Sequence, residues 1–324
     1  MRTLVVGFGS IGQRHARLLH EIGALPPIVS RRRLPDAFAT IADALRVHRP
    51  DLVVIATETA EHYAAIASLA RCGYAGRVLV EKPLFDRCRE LPANAFLDLR
   101  VAYNLRCHAL VRALRASLGN RRPCIVQAAV GQYLPDWRPG RAWQQGYSAD
   151  PVRGGGVLRD LSHELDLLLW LCGPWRRVAA LGGRSGLLPI ASDDHWSILI
   201  DFASGASATL QLNYLSRPGR RLLAVEHADG TVVADFIANT LCENADVQRL
   251  NADRDHSYLA LLRRALAGDV DELCDAAGGQ AVVRLIQAVE QAAQAGTWVA
   301  APGSITEQRQ GSASAAGGGT NSGG

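Results

Sequence analysis

What most constrains the fold of this chain is an alternation in residues 1–120. Short apolar runs bounded by turn residues are TLVVG (3–7), PIVS (27–30), DLVVIAT (51–57), RVLVE (77–81) and LDLRVAYN (97–104). Between them lie stretches of helical periodicity: SIGQRHARLLHEIG (10–23), DAFATIADALRVH (36–48), AEHYAAIASLARCG (60–73) and ALVRALRASLG (109–119). The first set reads as buried strands and the second as amphipathic helices. Strands that alternate with helices build a parallel sheet covered on both faces.

Beyond residue 120 the rhythm changes. CIVQAAVGQYL (124–134), RVAALGG (177–183), HWSILIDF (195–202), ASATLQLNYL (206–215), RLLAVEHA (221–228) and TVVADF (231–236) read as strands. Tight turns such as ASGA and ADGT join several of them, as in antiparallel meanders. One helix interrupts the run at 155–173, and two more follow near 256–267 and 279–295. The pattern predicts an α+β domain with an open, mainly antiparallel sheet and helices on one face. In its strands Trp196, Ile198, Ile200 and Phe202 share one face, as do Ala208, Leu210, Leu212 and Tyr214. Residues 303–324 are rich in Gly, Ser and Ala and cannot bury a core, which predicts a disordered tail. The expected division is 1–120, 121–302 and 303–324.

Composition narrows the functional classes. With 35 basic and 31 acidic residues the net charge is only +4, too even for a dedicated nucleic-acid binder. Lys82 is the single lysine, so every other basic residue of that 35 is arginine. The seven cysteines (72, 88, 107, 124, 172, 242 and 274) form no C-x-x-C pair. Neither a zinc ribbon nor a secreted disulfide framework is expected, and no metal; buried free thiols in a reducing cytoplasm are. The N-terminus lacks a signal-peptide pattern, and LDLLLWLCG is too short to span a bilayer.

VVGFGSIG carries Gly7, Gly9 and Gly12 in G-x-G-x-x-G spacing, between the first strand and the first helix. That context makes the motif informative. Gly7 allows the tight turn, Gly9 lets backbone N–H groups approach a pyrophosphate, and Gly12 lets helix pack on strand. The helix N-terminus adds partial positive charge. The motif in this context predicts a cradle for the pyrophosphate of a dinucleotide. At the end of the second strand an Asp or Glu would hold the ribose of NAD. Here stand Ser30, Arg31, Arg32 and Arg33 instead. A hydroxyl and guanidiniums suit a 2′-phosphate, so the sequence favours NADP and leaves NAD open.

Two further stretches carry chemistry. RVLVEKPLF (77–85) ends the fourth strand in Glu81, Lys82 and Pro83. Ligands sit outside the carboxyl ends of such strands, so Lys82 points to where a nicotinamide belongs, and Pro83 ends the strand. A compact ammonium kept in an otherwise arginine-only chain is a donor that Arg cannot replace. In GGGVLRDLSHELDLLLWL, Asp160, His163 and Asp166 recur every three residues, opposite Leu161, Leu165, Leu168 and Cys172. A histidine titrating near neutrality, oriented by a carboxylate, is suited to moving a proton. Gly154, Gly155 and Gly156 before it destabilise a loop unless a ligand or another backbone comes close.

VVGFGSIGQRHARLL, VVIAT…H, VLVEKPL, VAYNLRCH and GGGVLRDLSHELDLLLWLCG together resemble the Gfo/Idh/MocA oxidoreductases. GQYLPDWRPGR (131–141) resembles a narrower bacterial subgroup associated with sugar or surface-polysaccharide genes. The resemblance implies a Rossmann domain, a second α/β domain with an open sheet, NAD(P), and polyol or sugar substrates. It places the family's catalytic lysine on Lys82 and its Asp and His on Asp160 and His163. It also implies a homodimer or homotetramer formed through the open sheet.

Two positions depart from the family pattern. The step from Asp to His is three residues rather than four, and Glu58 rather than proline follows Thr57. Cofactor contacts are expected from Gly7, Phe8, Gly9, Ser10, Ile11 and Gly12, from Ser30, Arg31 and Arg32, and from Thr57, Glu81 and Lys82. Substrate contacts are expected from Asn104, Arg106, Tyr133, Trp137, Arg138 and Arg141. Trp137 would stack on a sugar face, and Arg138 and Arg141 would hold a phosphate such as that of a nucleotide sugar. The expected reaction is hydride transfer between the nicotinamide and a carbinol or ketone of a sugar, cyclitol or nucleotide sugar. A nucleotide-bound sensor of the same fold and an imine or enone reductase stay open as alternatives.

Overall fold

Thr3–Val6 form strand β1, and all four residues are buried. Such a run has no polar face to show water and belongs in a sheet covered on both sides. The computed structural model, which describes residues 1–137, 140, 142–250 and 255–303, places β1 there. The elements follow in the order α1 (Ser10–Glu21), β2 (Ile28–Val29), α2 (Ile41–Val47), β3 (Leu52–Ile55), α3 (His62–Arg71), β4 (Arg77–Val80), β5 (Asp98–Val101) and α4 (Ala109–Leu118). The first sheet has the order β14-β5-β4-β3-β1-β2, where β14 is the two-residue strand Cys274–Asp275. Strands β1 to β5 pair in parallel and β14 pairs antiparallel to β5. Strand order reverses at β1, which opens the crevice in which a dinucleotide lies.

The expected helix at 36–48 starts only at Ile41. Thr40 takes the N-cap, its hydroxyl accepting from the Asp43 N–H at 3.1 Å, and Asp36 adopts a left-handed φ of 58°. A cap residue that satisfies the first-turn donors fixes where a helix begins.

The second sheet contains β6 (Ile125–Gly131), β7 (Trp175–Gly183), β8 (His195–Phe202), β9 (Ser207–Asn213), β10 (Arg220–His227), β11 (Gly230–Asp235), β12 (Thr240–Glu243), β13 (Asp246–Arg249) and β15 (Val299–Ala300). Its order is β13-β12-β11-β10-β6-β9-β8-β7-β15, antiparallel throughout except for the parallel pair β6–β9. The expected apolar face is buried: Trp196, Ile198, Ile200 and Phe202 of β8, and Ala208, Leu210 and Leu212 of β9 with Tyr214 just beyond it. Helices α5 (Val157–Asp160), α6 (His163–Cys172) and α8 (Ala276–Ala295) pack against this face. The other face is open. Sequence reading missed β12 to β15, which are too short, and in β13 too exposed, to carry a two-residue alternation.

The helix expected at 155–173 is two helices. The Leu161 N–H still bonds to the Val157 carbonyl, but Ser162 N–H turns to Arg159 and Glu164 N–H to Leu161. Two i→i−3 bonds thus tighten the chain into a break at Leu161–Ser162. The division at residue 120 separates the two sheets in sequence except for β14, which returns from beyond residue 270 to the edge of the first sheet, and it does not separate the elements that cover them. Helix α7 (His256–Ala267) packs on α1, and its Leu261 and Leu262 share a core with Val5, Leu18 and Leu79. Helix α4 packs instead on β11 and β12.

The expected tail lies, from 304 onward, outside the described residues. All seven cysteines are free, but Cys72, Cys88 and Cys124 are exposed rather than buried. No described helix is long and apolar enough to cross a membrane.

Candidate active site

The glycine loop separates into two kinds of glycine. Gly7 has φ +97°, and a Cβ there would lie 2.6 Å from the Ala56 carbonyl oxygen; a Cβ on Gly12 would lie 2.1 Å from that of Gly7. Both are glycine because the chain packs backbone on backbone. Gly9 is different. Its φ of −73° suits any residue, and a Cβ would meet nothing within 4 Å. Nothing in the polypeptide requires glycine at this position, and the space beside its backbone is open to a ligand. Gly9 is also the N-cap of α1 without a side-chain cap, and no acidic residue stands in the first turn. Phe8, Ser10 and Ile11 frame these free N–H groups, which favour an anion.

At the end of β3 the buried Thr57 hydroxyl has no partner. A buried orphan beside the crevice is a site for a bound polar group. The open Gly9 and the orphan Thr57 together fit a dinucleotide. After β2, Ser30 Oγ accepts from the Arg32 N–H at 3.1 Å, and Arg31 pairs with Glu61 at 2.6 Å while remaining 78% exposed. Arg32 and Arg33 are exposed.

Glu81, expected at the cofactor, turns inward instead. One carboxylate oxygen lies 2.6 Å from His15 Nε2 in α1, and the other accepts from the Lys82 N–H at 3.1 Å. Burial raises its pKa, but the hydrogen bond and charge of His15 and the charge of Lys82 bring it below the ordinary value. Glu81 therefore fastens α1 to the end of β4. His62 does similar work: Nδ1 meets the Pro83 carbonyl at 3.0 Å and Nε2 the Thr57 carbonyl at 3.3 Å. It ties the loops after β3 and β4 together, and burial pushes its pKa down. The Lys82–Pro83 peptide is cis.

Lys82 Nζ donates to the main-chain carbonyl of Asp160 at 2.5 Å. The Asp160 carboxylate accepts from the Tyr214 hydroxyl at 2.7 Å. His163 is 8% exposed, its Nδ1 is buried without a partner, and its ring stands edge-on to Tyr103 at 5.6 Å. Burial, then the positive charges of Lys82 and Arg221, depress its pKa well below the ordinary value. The structure departs from two expectations: burial pushes the His163 pKa down rather than leaving it near neutrality, and among the described residues no carboxylate bonds to its ring. Asp160 is taken by Tyr214, Asp166 by Arg106, and Glu164 by Arg221 at 2.7 Å.

The substrate residues divide. Arg106 is buried in a two-point ion pair with Asp166, at 2.9 and 2.6 Å, and Asn104 is buried against the Ser257 hydroxyl at 2.7 Å. Both bind other elements of the fold through these groups, Arg106 through Nε and Nη2 and Asn104 through Nδ2. Tyr133 and Trp137 are only partly buried. The Arg217 guanidinium lies 3.2 Å over the Tyr133 ring, and Trp137 stands edge-on to Tyr214 at 5.1 Å. Arg138 and Arg141 lie outside the described residues.

The three glycines serve the chain's own close packing. A Cβ on Gly154 would lie 2.9 Å from Thr59 Cβ, one on Gly155 2.0 Å from the Tyr147 carbonyl oxygen, and one on Gly156 2.0 Å from an Asp193 carboxylate oxygen. Asp193 also accepts from the Leu158 N–H at 2.9 Å, closing the start of α5. Glu58, the residue that departs from the family's proline, makes a two-point ion pair with Arg153 at 2.9 and 2.5 Å. Thr59 meets the Tyr147 hydroxyl at 2.5 Å beside it. Sequence reasoning missed Tyr214, His62, Arg153 and Asp193 as site residues. Two left a trace: Tyr214 as the one hydroxyl in the apolar set of its strand, and His62 as the histidine of VVIAT…H. Among the described residues no group of three or more His, Cys, Asp or Glu side chains forms a metal site.

Two family models match the chain. The oxidoreductase family with an NAD-binding Rossmann fold (GFO/IDH/MocA) covers residues 1–95, and the GFO/IDH/MocA C-terminal domain covers 115–233. A search of curated proteins finds no significant match. Among solved structures, a levoglucosan dehydrogenase in complex with NADH and L-sorbose is similar at TM-score 0.78 and 16% identity, over 93% of this chain and 99% of that one. The UDP-N-acetylglucosamine 3-dehydrogenase GnnA from Acidithiobacillus ferrooxidans is similar at TM-score 0.75 and 23% identity, over 91% and 98%. The WlbA dehydrogenase from Bordetella pertussis, in complex with NADH and UDP-GlcNAcA, is similar at 0.74 and 21%, over 93% and 98%. At these identities the likeness establishes a shared fold.

Proposed function

This chain belongs to the Gfo/Idh/MocA oxidoreductase family, and from that premise we propose that it is a nicotinamide-dinucleotide-dependent dehydrogenase or reductase acting on a hydroxyl or ketone of a sugar, cyclitol or nucleotide sugar. The observation that carries the reading is the pairing of one ammonium with one neutral imidazole. Lys82 is near enough for its charge to depress His163, and His163 is neutral and reaches the surface only slightly. A neutral imidazole can take the proton of a carbinol, and an ammonium beside it can stabilise the alkoxide that develops. A protein that only senses a nucleotide needs neither group.

The dinucleotide, when bound, supplies the hydride chemistry. Gly7 to Gly12 would hold its pyrophosphate, and Thr57 and Lys82 would hold its nicotinamide end. His163 removes or returns the hydroxyl proton, with Nδ1 buried and Nε2 as the nitrogen that meets substrate. Lys82 donates a hydrogen bond to the same oxygen. Tyr133 and Trp137 form an aromatic wall for a sugar face. The solved relatives named above include proteins crystallised with sugars or a nucleotide sugar, which supports this substrate class. Arg138 and Arg141 are the residues proposed for an anionic end of a longer substrate. Ser30, Arg31 and Arg32 favour NADP, because the segment that follows β2 is Ser-Arg-Arg-Arg, with no Asp or Glu of its own for an unmodified ribose. The open sheet face is proposed to pair with a second copy.

The test is a panel of sugars, cyclitols and nucleotide sugars with NAD and NADP, followed by the absorbance of the reduced nicotinamide. Turnover of at least one class is expected. Tight cofactor binding with no turnover across the panel would overturn the reading and leave a sensor.

A further inference from the structure

A continuous helix through residues 157–172 would bond the Glu164 N–H to the Asp160 carbonyl. Here Glu164 N–H bonds to Leu161, at 3.4 Å, and the Asp160 carbonyl accepts from Lys82 Nζ at 2.5 Å. The break between α5 and α6 thus frees one carbonyl, and the lysine takes it. The same residue is held at its other end, where the carboxylate accepts from the Tyr214 hydroxyl at 2.7 Å. Tyr214 is fully buried at 0% exposure, its N–H bonds to the Asp194 carbonyl at 2.8 Å, and its ring abuts Trp137.

We propose that Tyr214 is a positioning residue for Lys82, acting through Asp160. Its catalytic meaning rests on reading Lys82 as the donor to the reacting oxygen.

The physical case is one of order. A lysine side chain is long and rich in rotamers, and it is useful as a donor only where something fixes it. Carbonyls in the last turn of a helix have no intrahelical partner and carry partial negative charge, so they suit an ammonium. A four-residue helix, however, is too short to hold its own end still. Tying the Asp160 carboxylate to a tyrosine rooted at the end of β9 passes the rigidity of the sheet to that carbonyl. Burial, then the Asp160 charge, keeps the Tyr214 phenol protonated far above its ordinary range, so it remains a donor. Asp160 thereby becomes the link between sheet and lysine rather than a proton carrier.

The single lysine makes the test direct. Protein grown with [ε-13C]lysine reports Lys82 alone. A held ammonium gives two resolved ε-proton shifts on that carbon, and a freely rotating one gives a single averaged shift. Wild type should show two. Tyr214→Phe and Asp160→Ala should each collapse them to one, while Asp160→Asn, whose amide oxygen can still accept from Tyr214, should keep them. An averaged signal in wild type, or two shifts surviving in Tyr214→Phe, overturns the proposal. Should Tyr214→Phe fail to fold by circular dichroism, the contrast between Asp160→Ala and Asp160→Asn decides in its place. No turnover enters the measurement, so a protein that oxidises no sugar yet holds its lysine would defeat the dehydrogenase reading alone.

Discussion

Lys82 and His163 show how differently two residues of one site can be read. Lys82 was legible because a strand end, a proline and an arginine-only background all single it out. His163 was legible as a position but not as a chemical state. Its depressed pKa follows from burial, then from Lys82 and Arg221, which other strands bring in and no local spacing announces. The consequence can be measured. Lys82→Ala and His163→Ala should each lower kcat by about 10²-fold, the scale of a lost general acid or base. Cofactor affinity, read by quenching of intrinsic fluorescence, should change little. In the oxidative direction His163 must be neutral to act as a base. Because its pKa is depressed, the acid limb of kcat/KM that it causes should lie below pH 6.5, the ordinary value for histidine. A limb at or above that value would show that His163 is not the base. Arg31 gives a second prediction at this scale. NADPH should bind more tightly than NADH, and Arg31→Ala should narrow the gap; equal affinities in wild type would remove the argument from Ser30–Arg33.

Among the elements, the glycine-bearing turns were legible as turns, but the reason for each glycine was not. Spacing in Gly7–Gly12 and the run Gly154–Gly156 looks equally suited to a ligand. Only the contacts separate Gly9, whose missing side chain faces open space, from Gly156, whose φ is +119° and whose missing Cβ would strike Asp193. The same limit explains the helix drawn as one at 155–173. Periodicity marks a helical face, but it does not reveal that a lysine from another element takes the Asp160 carbonyl. The two glycines should therefore fail in opposite ways. Gly9→Ala should leave the urea unfolding free energy within about 1 kcal/mol of wild type, the range of cap and chain-entropy effects. It should nevertheless weaken NADH binding. Gly156→Ala should cost on the order of 3 kcal/mol, from strain at a backbone conformation that L residues avoid together with the clash on the partly buried Asp193 carboxylate. If Gly9→Ala unfolds as easily as Gly156→Ala, the division between ligand and packing glycines is wrong.

At the scale of the molecule, two sheets could be anticipated, because strand alternation reports which face is buried. Which helix covers which sheet could not, because an amphipathic stripe does not name the core it meets. Helix α7, late in the chain, returns to the first sheet, and α4, early in it, covers the second. What the second sheet leaves uncovered bears on assembly. Across its open face the register sets Leu181, Ser197, Gln211, Ala129 and Leu222 in one row, and Ala179, Leu199, Thr209 and Gln127 in another. Leu199 is 49% exposed and Ile125 41%. Large side chains on a flat face, separated by small and hydroxylic ones, can pack against a rotated copy of themselves, and a two-fold axis closes such a contact. The interface need be no more apolar than ordinary surface. An isolated chain would instead leave these leucines in water over a broad area with no helix to cover them. Light scattering at micromolar concentration should therefore give a mass of about 70 kDa or a multiple of it, from chains of 34.8 kDa. Leu199→Glu places two like charges near the axis of any such pair, and should lower the mass to that of one chain without changing the circular dichroism. A wild-type mass near that of one chain would show that this face stands alone in water. A Leu199→Glu protein that stays assembled would place the interface elsewhere.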